Sequence, residues 1–531
     1  MTDTTFEETG TRTLPALPTL SILSSVAVFA LLQAVSFYLA GAFEYPLDDP
    51  YIHLAIAETI AQGGYGVNLQ DMSSPGSSAL YPLLLIPFNG TEFHRFLPLL
   101  WNLAGLICAA LFWGRLLFEA GYSREGWRGL GMIAAILGPI ALMMPMVAYV
   151  GMEHTLHAAA ALAVVLGLHR HLTDRGGTAL ILAGVFFGTA LRMEGAALAL
   201  LAAGAVFLTG KRGLGMATAV VGVLPLGLFA LWLTSLGLDP TPSSVKAKLA
   251  LTNPEEISFV VRRLTILVVN LREAPGMLLA GFALASLVLW RMSPRLKSSR
   301  WGIFAAVIIL ATFAHLAFGQ IGWLNRYEQY ILVIAGGGLL ALIPKAMGDK
   351  RPNIAAIAGV AGVILGGMVA YKTPVAFFET ARCGRAIHLQ QAQMAVFAKE
   401  YLGTDVAVND LGWVAFQNPN YVLDLWGLAS AEARVMRLDH ATPGWTGTLT
   451  EKYDVPAALV YENWFEDGIG EDWVRIGRLN LTISGGFLGG YTVSFFATGP
   501  EHVDMMRDAV SAWTPTLLPH SEFIWDEGME P

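Results

Sequence analysis

Residues 20–43 form an apolar run without a single Asp, Glu, Lys or Arg, long enough to cross a bilayer as one helix. Further apolar runs lie at 96–118, 130–150, 155–169, 180–191, 195–208, 214–236, 277–290, 303–318, 330–343 and 354–370. With 54% hydrophobic and only 14% charged residues in a chain of 531, this is the pattern of a polytopic membrane protein. A net charge of −8 argues against a nucleic-acid partner, and the two cysteines, Cys108 and Cys383, match no metal-binding spacing. Ala40-Gly41-Ala42 has the composition of a signal-peptidase site, but the segment before it is long and its flank carries only Arg12, so a retained first helix is expected.

Basic residues set the orientation. Arg124 and Arg128, Arg170 and Arg175, Lys211 and Arg212, and the basic stretches 291–300 and 345–351 occupy every second connection. About eleven spans satisfy this alternation, with the N-terminus in the cytoplasm and the C-terminus outside. The count assumes that residues 79–88 do not cross and that 257–271, with Arg262, Arg263 and Arg272, lies flat or enters partly. No Lys or Arg occurs from 43 to 93, which places that loop on the outer face. The outward connections then gather the acidic loop at 44–78, Gly151-Met152-Glu153-His154, Arg192-Met193-Glu194, residues 239–256 and residues 320–328 on one side of the membrane. From 372 onward the composition is that of a soluble domain in which acidic residues outnumber basic ones about two to one. Residues 406–408 and 421–423 read as strands followed by turns, and 389–401 as a helix before them.

The acidic loop carries the clearest chemistry. Asp48 and Asp49 emerge where the first helix leaves the membrane, and ionisable groups at that depth need a reason. Pro50 suits the first turn of a helix and Asp49 its N-cap, with Ile52, Ile56 and Ile60 on an interfacial face. Asp48 then has no evident structural duty and is the candidate general base for an acceptor hydroxyl. Lys246 and Lys248, two apart on an outward loop, suit capture of a lipid phosphate, against a reading as snorkelling lysines. Arg326, beside Tyr327, either pairs with Glu328 or reaches a phosphate with its planar fork. Glu153, Arg192 and Glu194 allow the same two readings, and an internal pair of Arg192 with Glu194 or Glu153 is the simpler. His154 and His157 lack a third ligand for zinc. No glycine-rich phosphate loop and no serine-nucleophile elbow is present, which disfavours a nucleotide-sugar Rossmann enzyme.

Taken in order, these stretches resemble the GT-C superfamily of integral-membrane glycosyltransferases, and within it the bacterial arabinofuranosyltransferase-like branch. The resemblance rests on Leu47-Asp48-Asp49-Pro50-Tyr51-Ile52, the Ser-rich turn at 73–85, Gly151-Met152-Glu153, Leu191-Arg192-Met193-Glu194-Gly195, Pro242-Ser243-Ser244-Val245-Lys246-Ala247-Lys248, Arg326-Tyr327-Glu328-Gln329-Tyr330, and the pair Asn409-Asp410-Leu411-Gly412 and Asp424-Leu425-Trp426-Gly427-Leu428. It implies a sugar donor linked to polyprenyl phosphate. Asp48 would match the catalytic base with Asp49 beside it, and Lys246, Lys248 and Arg326 the donor-phosphate contacts. His53, Tyr327, Glu153, Arg192 and Glu194 join the substrate-binding group. Pro50 departs from the small or polar residue the pattern has after the acidic pair. The resemblance does not imply arabinose, and it leaves a divalent cation open.

The expected architecture is a polytopic α-helical membrane protein of GT-C type with about eleven transmembrane helices and a C-terminal periplasmic α/β domain. Residues 1–371 would form the catalytic membrane module, including the loop 44–78, and 372–531 the soluble domain. The expected activity is transfer of a sugar to a cell-envelope glycan or glycolipid at the bacterial inner membrane. The alternatives are a lipid-linked sugar transporter, and an oligosaccharide ligase or polymerase with a diphosphate donor. A transporter commonly shows two related halves with broken helices, and no such duplication is visible.

Overall fold

The computed structural model describes residues 16–251, 258–297, 300–439 and 442–531. Among them six helices are long and apolar enough to cross a membrane: Leu17–Ala40, His94–Tyr122, Arg212–Ser235, Ala274–Met292, Trp301–Phe318 and Gln329–Met347. The bent pair Ile354–Ala370 and Thr373–Leu402, with 44° between its halves, raises the number to seven. The chain is a multi-pass membrane protein. Length and composition do not reach the expected eleven, for local reasons. The run at 130–150 breaks at Met143, which takes the left-handed conformation, into Arg128–Ala141 and Met144–Tyr149. Thr178–Leu191 and Gly195–Leu208 have 14 residues each, about 21 Å of helix against a hydrocarbon core of about 30 Å. His154–Leu172 is buried along nearly its whole length.

Residues 79–88 hold only the four-residue helix Tyr81–Leu84. Residues Phe259–Arg272 form a helix that leaves Phe259, Val260, Leu264 and Val268 exposed rather than buried in the bundle.

The C-terminal part is built on one mixed six-stranded sheet. Its strands are β1 (Val406–Val408), β2 (Val422–Asp424), β3 (Ala457–Val460), β4 (Val474–Leu481), β5 (Thr492–Ala497) and β6 (Ser521–Trp525), in the order β2-β1-β3-β5-β4-β6. β1 runs parallel to both β2 and β3, and the remaining pairs are antiparallel. β1 and β2 are buried at every position and wholly apolar but for Asp424, as strands covered on both faces should be. β1 and β2 and the helix before them fall where the sequence pattern puts them, the helix as Gln391–Val396 with a further wide turn over Phe397–Leu402. β3 to β6 had no sequence signal.

The loop after the first helix docks onto this sheet. The Asn68 amide exchanges two hydrogen bonds of 2.9 Å with the backbone of Val422, extending the β2 edge with a side chain. Ile52 and Ile56 of the Asp49–Ala61 helix are buried with Val408, Leu411 and Val414. The isoleucine face expected at the lipid interface therefore packs on the sheet-containing part of the chain. Glu44 fastens the same contact, accepting from Tyr51 Oη (2.5 Å), Trp413 Nε1 (2.9 Å) and His388 Nδ1 (3.1 Å).

Candidate active site

Asp48 lies at the N-terminal edge of the Asp49–Ala61 helix and is 5% exposed. Its carboxylate does not turn back on its own helix. Oδ2 accepts from the Gly412 backbone N–H at 2.5 Å and Oδ1 from that of Trp413 at 2.8 Å. These are first-turn donors of the short Gly412–Ala415 helix, which otherwise lack partners. Asp48 thus has the structural duty that the sequence did not reveal. Only glycine allows the approach, because a Cβ on Gly412 would lie 2.2 Å from the Asp48 carbonyl oxygen.

The same segment brings Asp410 to Asp48. Asp410 follows β1, at the carboxyl end of a strand with parallel neighbours on both sides, where loops of such sheets present their functional groups. Its carboxyl is close enough to that of Asp48 for the two charges to interact, and it accepts from Gln391 Nε2 at 2.9 Å. Burial, then the Asp410 charge, push the Asp48 carboxyl well above the usual carboxylate range, against the two backbone N–H donors. Burial raises Asp410 to about 6. Two carboxyl groups so close titrate as a pair rather than singly.

Asp49 is not an N-cap. The Asp49–Ala61 helix has no side-chain cap, and Asp49 instead forms an ion pair with Arg326. Arg326 does not pair with Glu328, which accepts from the Gly322 N–H (2.9 Å) and Tyr371 Oη (3.1 Å). Arg326 is 3% exposed, its guanidinium lies 5.3 Å from the Tyr327 ring centroid, and its Nε and Nη1 are buried with no acceptor in place. A buried charge-bearing donor without an acceptor is costly.

The ion pairs read as the simpler alternative are both present and form one chain. Arg192 donates to Glu153 at 2.8 Å and to Glu194 at 2.6 Å, and Glu153 lies 3.8 Å from His53 Nε2. Burial alone would raise both carboxyls. The Arg192 guanidinium outweighs it, holding Glu153 below the usual range and Glu194 at about 2. Tyr327 joins the two arginines, its ring 5.8 Å from Arg192 and 5.3 Å from Arg326. Lys246 stands apart on the helix Ser243–Leu251, paired with the half-exposed Asp239 that precedes it. The start of that helix is nevertheless tied to the Ser-rich turn, for the Ser243 N–H donates to the Ser74 carbonyl at 3.1 Å. The side chain of Lys248 lies outside the described residues. Among the described residues no group of three or more His, Cys, Asp or Glu is arranged to hold a metal ion.

ArnT from Cupriavidus metallidurans, in a crystal structure bound to undecaprenyl phosphate, matches 90% of this chain and 98% of its own at a TM-score of 0.50 and 11% identity. The chain has the GT-C fold. The apo oligosaccharyltransferase of Archaeoglobus fulgidus, another GT-C enzyme, matches 88% of this chain and 74% of its own, with a TM-score of 0.48 and 13% identity. A family model described as a domain of unknown function (DUF8728) matches residues 385–496. No curated protein sequence matches the chain.

In this GT-C chain the matched family segment contributes Asp410, Gly412 and Trp413 to the site, and sequence reasoning assigned none of them a role. The signal was the motif Asn409-Asp410-Leu411-Gly412 itself, whose aspartate precedes a glycine by two residues at the end of an apolar strand. Nothing local indicates that this turn meets Asp48.

Proposed function

We propose that this protein is a glycosyltransferase that moves a sugar from a polyprenyl-phosphate-linked donor to a cell-envelope glycan or glycolipid on the periplasmic face of a bacterial inner membrane. The observation that carries the reading is a buried carboxylate, Asp48, followed directly by Asp49, whose ion-pair partner Arg326 is itself buried with two N–H groups that have no acceptor. The acceptor hydroxyl oxygen attacks the anomeric carbon of the donor sugar, and the bond from that carbon to the phosphate oxygen breaks. The hydroxyl proton passes to Asp48 and the electron pair leaves on the lipid phosphate. Backbone donors occupy one lone pair on each Asp48 oxygen, and others remain to accept the proton. A base with a raised pKa is a stronger one, and a value closer to neutral favours proton transfer.

Arg326, held by Asp49, binds the leaving phosphate, and Lys246 and Lys248 add charge at the donor entrance. His53, Glu153, Arg192, Glu194 and Tyr327 hold Arg326 and the floor of the site in place. The lipid bound to ArnT, a GT-C relative in fold, supports a polyprenyl phosphate as donor carrier. The reading divides the chain into a membrane module, 1–371, and a periplasmic domain, 372–531, and places both on the multi-pass topology of about eleven spans. A divalent cation has no assigned step in it.

The test is transfer of labelled sugar from a panel of polyprenyl-phosphate donors to an envelope extract, with wild type and Asp48→Asn in detergent. Wild type should turn over, and the variant should lose about 10²- to 10⁴-fold while still binding donor. Donor binding without turnover in wild type, unchanged by the substitution, would instead favour a lipid-linked sugar transporter.

A further inference from the structure

A second cavity, of about 770 Å³, opens where the far end of the Asp49–Ala61 helix meets the soluble domain. Ala55, Thr59 and Gln62 line it from one face of that helix, at spacings of four and three residues. The opposite wall is the segment that leaves the Gly412–Ala415 helix. The two elements that hold Asp48 at one end therefore bound this groove at the other. Glu58 follows Asp48 by ten residues, about 15 Å along a helix.

The lining is unusual in its chemistry. Seven amide residues line it: Gln62, Asn68, Gln70, Asn89, Gln417, Asn418 and Asn420. Asn68 and Asn418 are committed to backbone groups, and Gln62 donates at 3.3 Å to the Glu58 carbonyl of its own helix, whereas the side chains of Gln70, Asn89, Gln417 and Asn420 have no hydrogen bond among the described residues. Each amide offers both donors and acceptors, the complement of a hydroxyl group. Among the described residues the charges in the lining are the carboxylates of Glu58 and Asp405, with no lysine or arginine. That excludes phosphates and other anions by repulsion, and the scarcity of large apolar side chains disfavours an apolar peptide or a lipid tail.

We infer that this groove binds a neutral oligosaccharide through its hydroxyl groups. On the transferase reading, on which this assignment of the ligand rests, it grips the acceptor glycan a few sugar units away from the hydroxyl that reacts at Asp48. Binding there adds affinity without touching the reacting bond, so it lowers the acceptor KM and leaves kcat alone.

The experiment uses the full-length protein in detergent. The probes are neutral oligosaccharides released by partial acid hydrolysis of the envelope polysaccharide of the source cells, size-fractionated and fluorescently end-labelled. The triple variant Gln70→Ala/Gln417→Ala/Asn420→Ala removes amides at the surface and should keep the wild-type melting temperature. It should bind the longer fractions at least about tenfold more weakly, and raise the acceptor KM by the same factor with kcat and donor KM unchanged. Glu501→Ala, in the separate cavity beside Gly444 and His502, should change neither. If the triple variant binds and turns over the longer acceptors as wild type does while Asp48→Asn abolishes transfer, the groove assignment fails and the transferase stands. If no donor supports transfer yet the triple variant loses oligosaccharide binding, the groove stands and the transferase reading fails.

Discussion

Two clusters of charge adjoin the Asp49–Ala61 helix, one through His53 and one at its start, and they are built on opposite principles. In Glu153–Arg192–Glu194 each carboxylate touches a guanidinium, and both are held below the usual range although burial works against it. In Asp48–Asp410 like charges face each other, with only neutral donors to support them, and both carboxyls are pushed up. The first arrangement is compensated and gains nothing by changing protonation. The second is uncompensated, and a change of protonation relieves it. On the proposed function, the difference separates side chains that hold the site from those that act in it.

The sharpest way to break this comparison is to open the compensated cluster. Arg192→Met leaves Glu153, which is fully buried, without its cation. It should destabilise the protein by about 3–5 kcal/mol, read as a lowered midpoint of unfolding in detergent. Adding Glu153→Gln and Glu194→Gln should restore part of the loss. A midpoint that does not move would mean that Arg192 is spare charge for a ligand rather than a structural tie.

A smaller effect is expected at the like-charge pair. Removing the Asp410 charge lowers the pKa of Asp48, because the repulsion that raised it is gone. The acid limb of the kcat/KM profile, set near pH 6 or above in wild type by the pair, should move to lower pH in Asp410→Asn. At a pH well above both limbs the variant should be slower, since Asp48 becomes the weaker base. An unmoved acid limb would show that the two carboxyls do not titrate together.

The smallest effect is expected at Lys246. Its pair with Asp239 is largely solvated, and such pairs contribute about 0–1 kcal/mol. Lys246→Ala should leave the unfolding midpoint in place and raise the donor KM by no more than about tenfold, more at low salt than at high. A loss as large as that of Asp48→Asn would move Lys246 from the entrance to the centre of the site.

How much of this was legible in the chain depends on the range of each interaction. Arg192 with Glu194 lie two residues apart, and β1 and β2 are short apolar runs bounded by turn residues, so local pattern was enough. The assignment of Asp49 as a cap followed from sound local chemistry and was overridden by Arg326, a far stronger partner that arrives from the turn between the helices Trp301–Phe318 and Gln329–Met347. The eleven-span topology counted apolar runs, and several of those runs are too short or too bent to cross by length alone.

The sequence by itself determined that this is a membrane protein with an acidic pair at the end of its first helix and a stretch of more polar composition after its last apolar run. Apolar length and charge placement decide those matters residue by residue. Only the tertiary structure decided what each of the two adjacent aspartates does. Asp48 meets Gly412 and Asp410 of the sheet domain, and Asp49 meets Arg326 of the helices. A carboxyl group's protonation and partner are set by the charges and donors within a few ångströms of it, and here those come from segments hundreds of residues away.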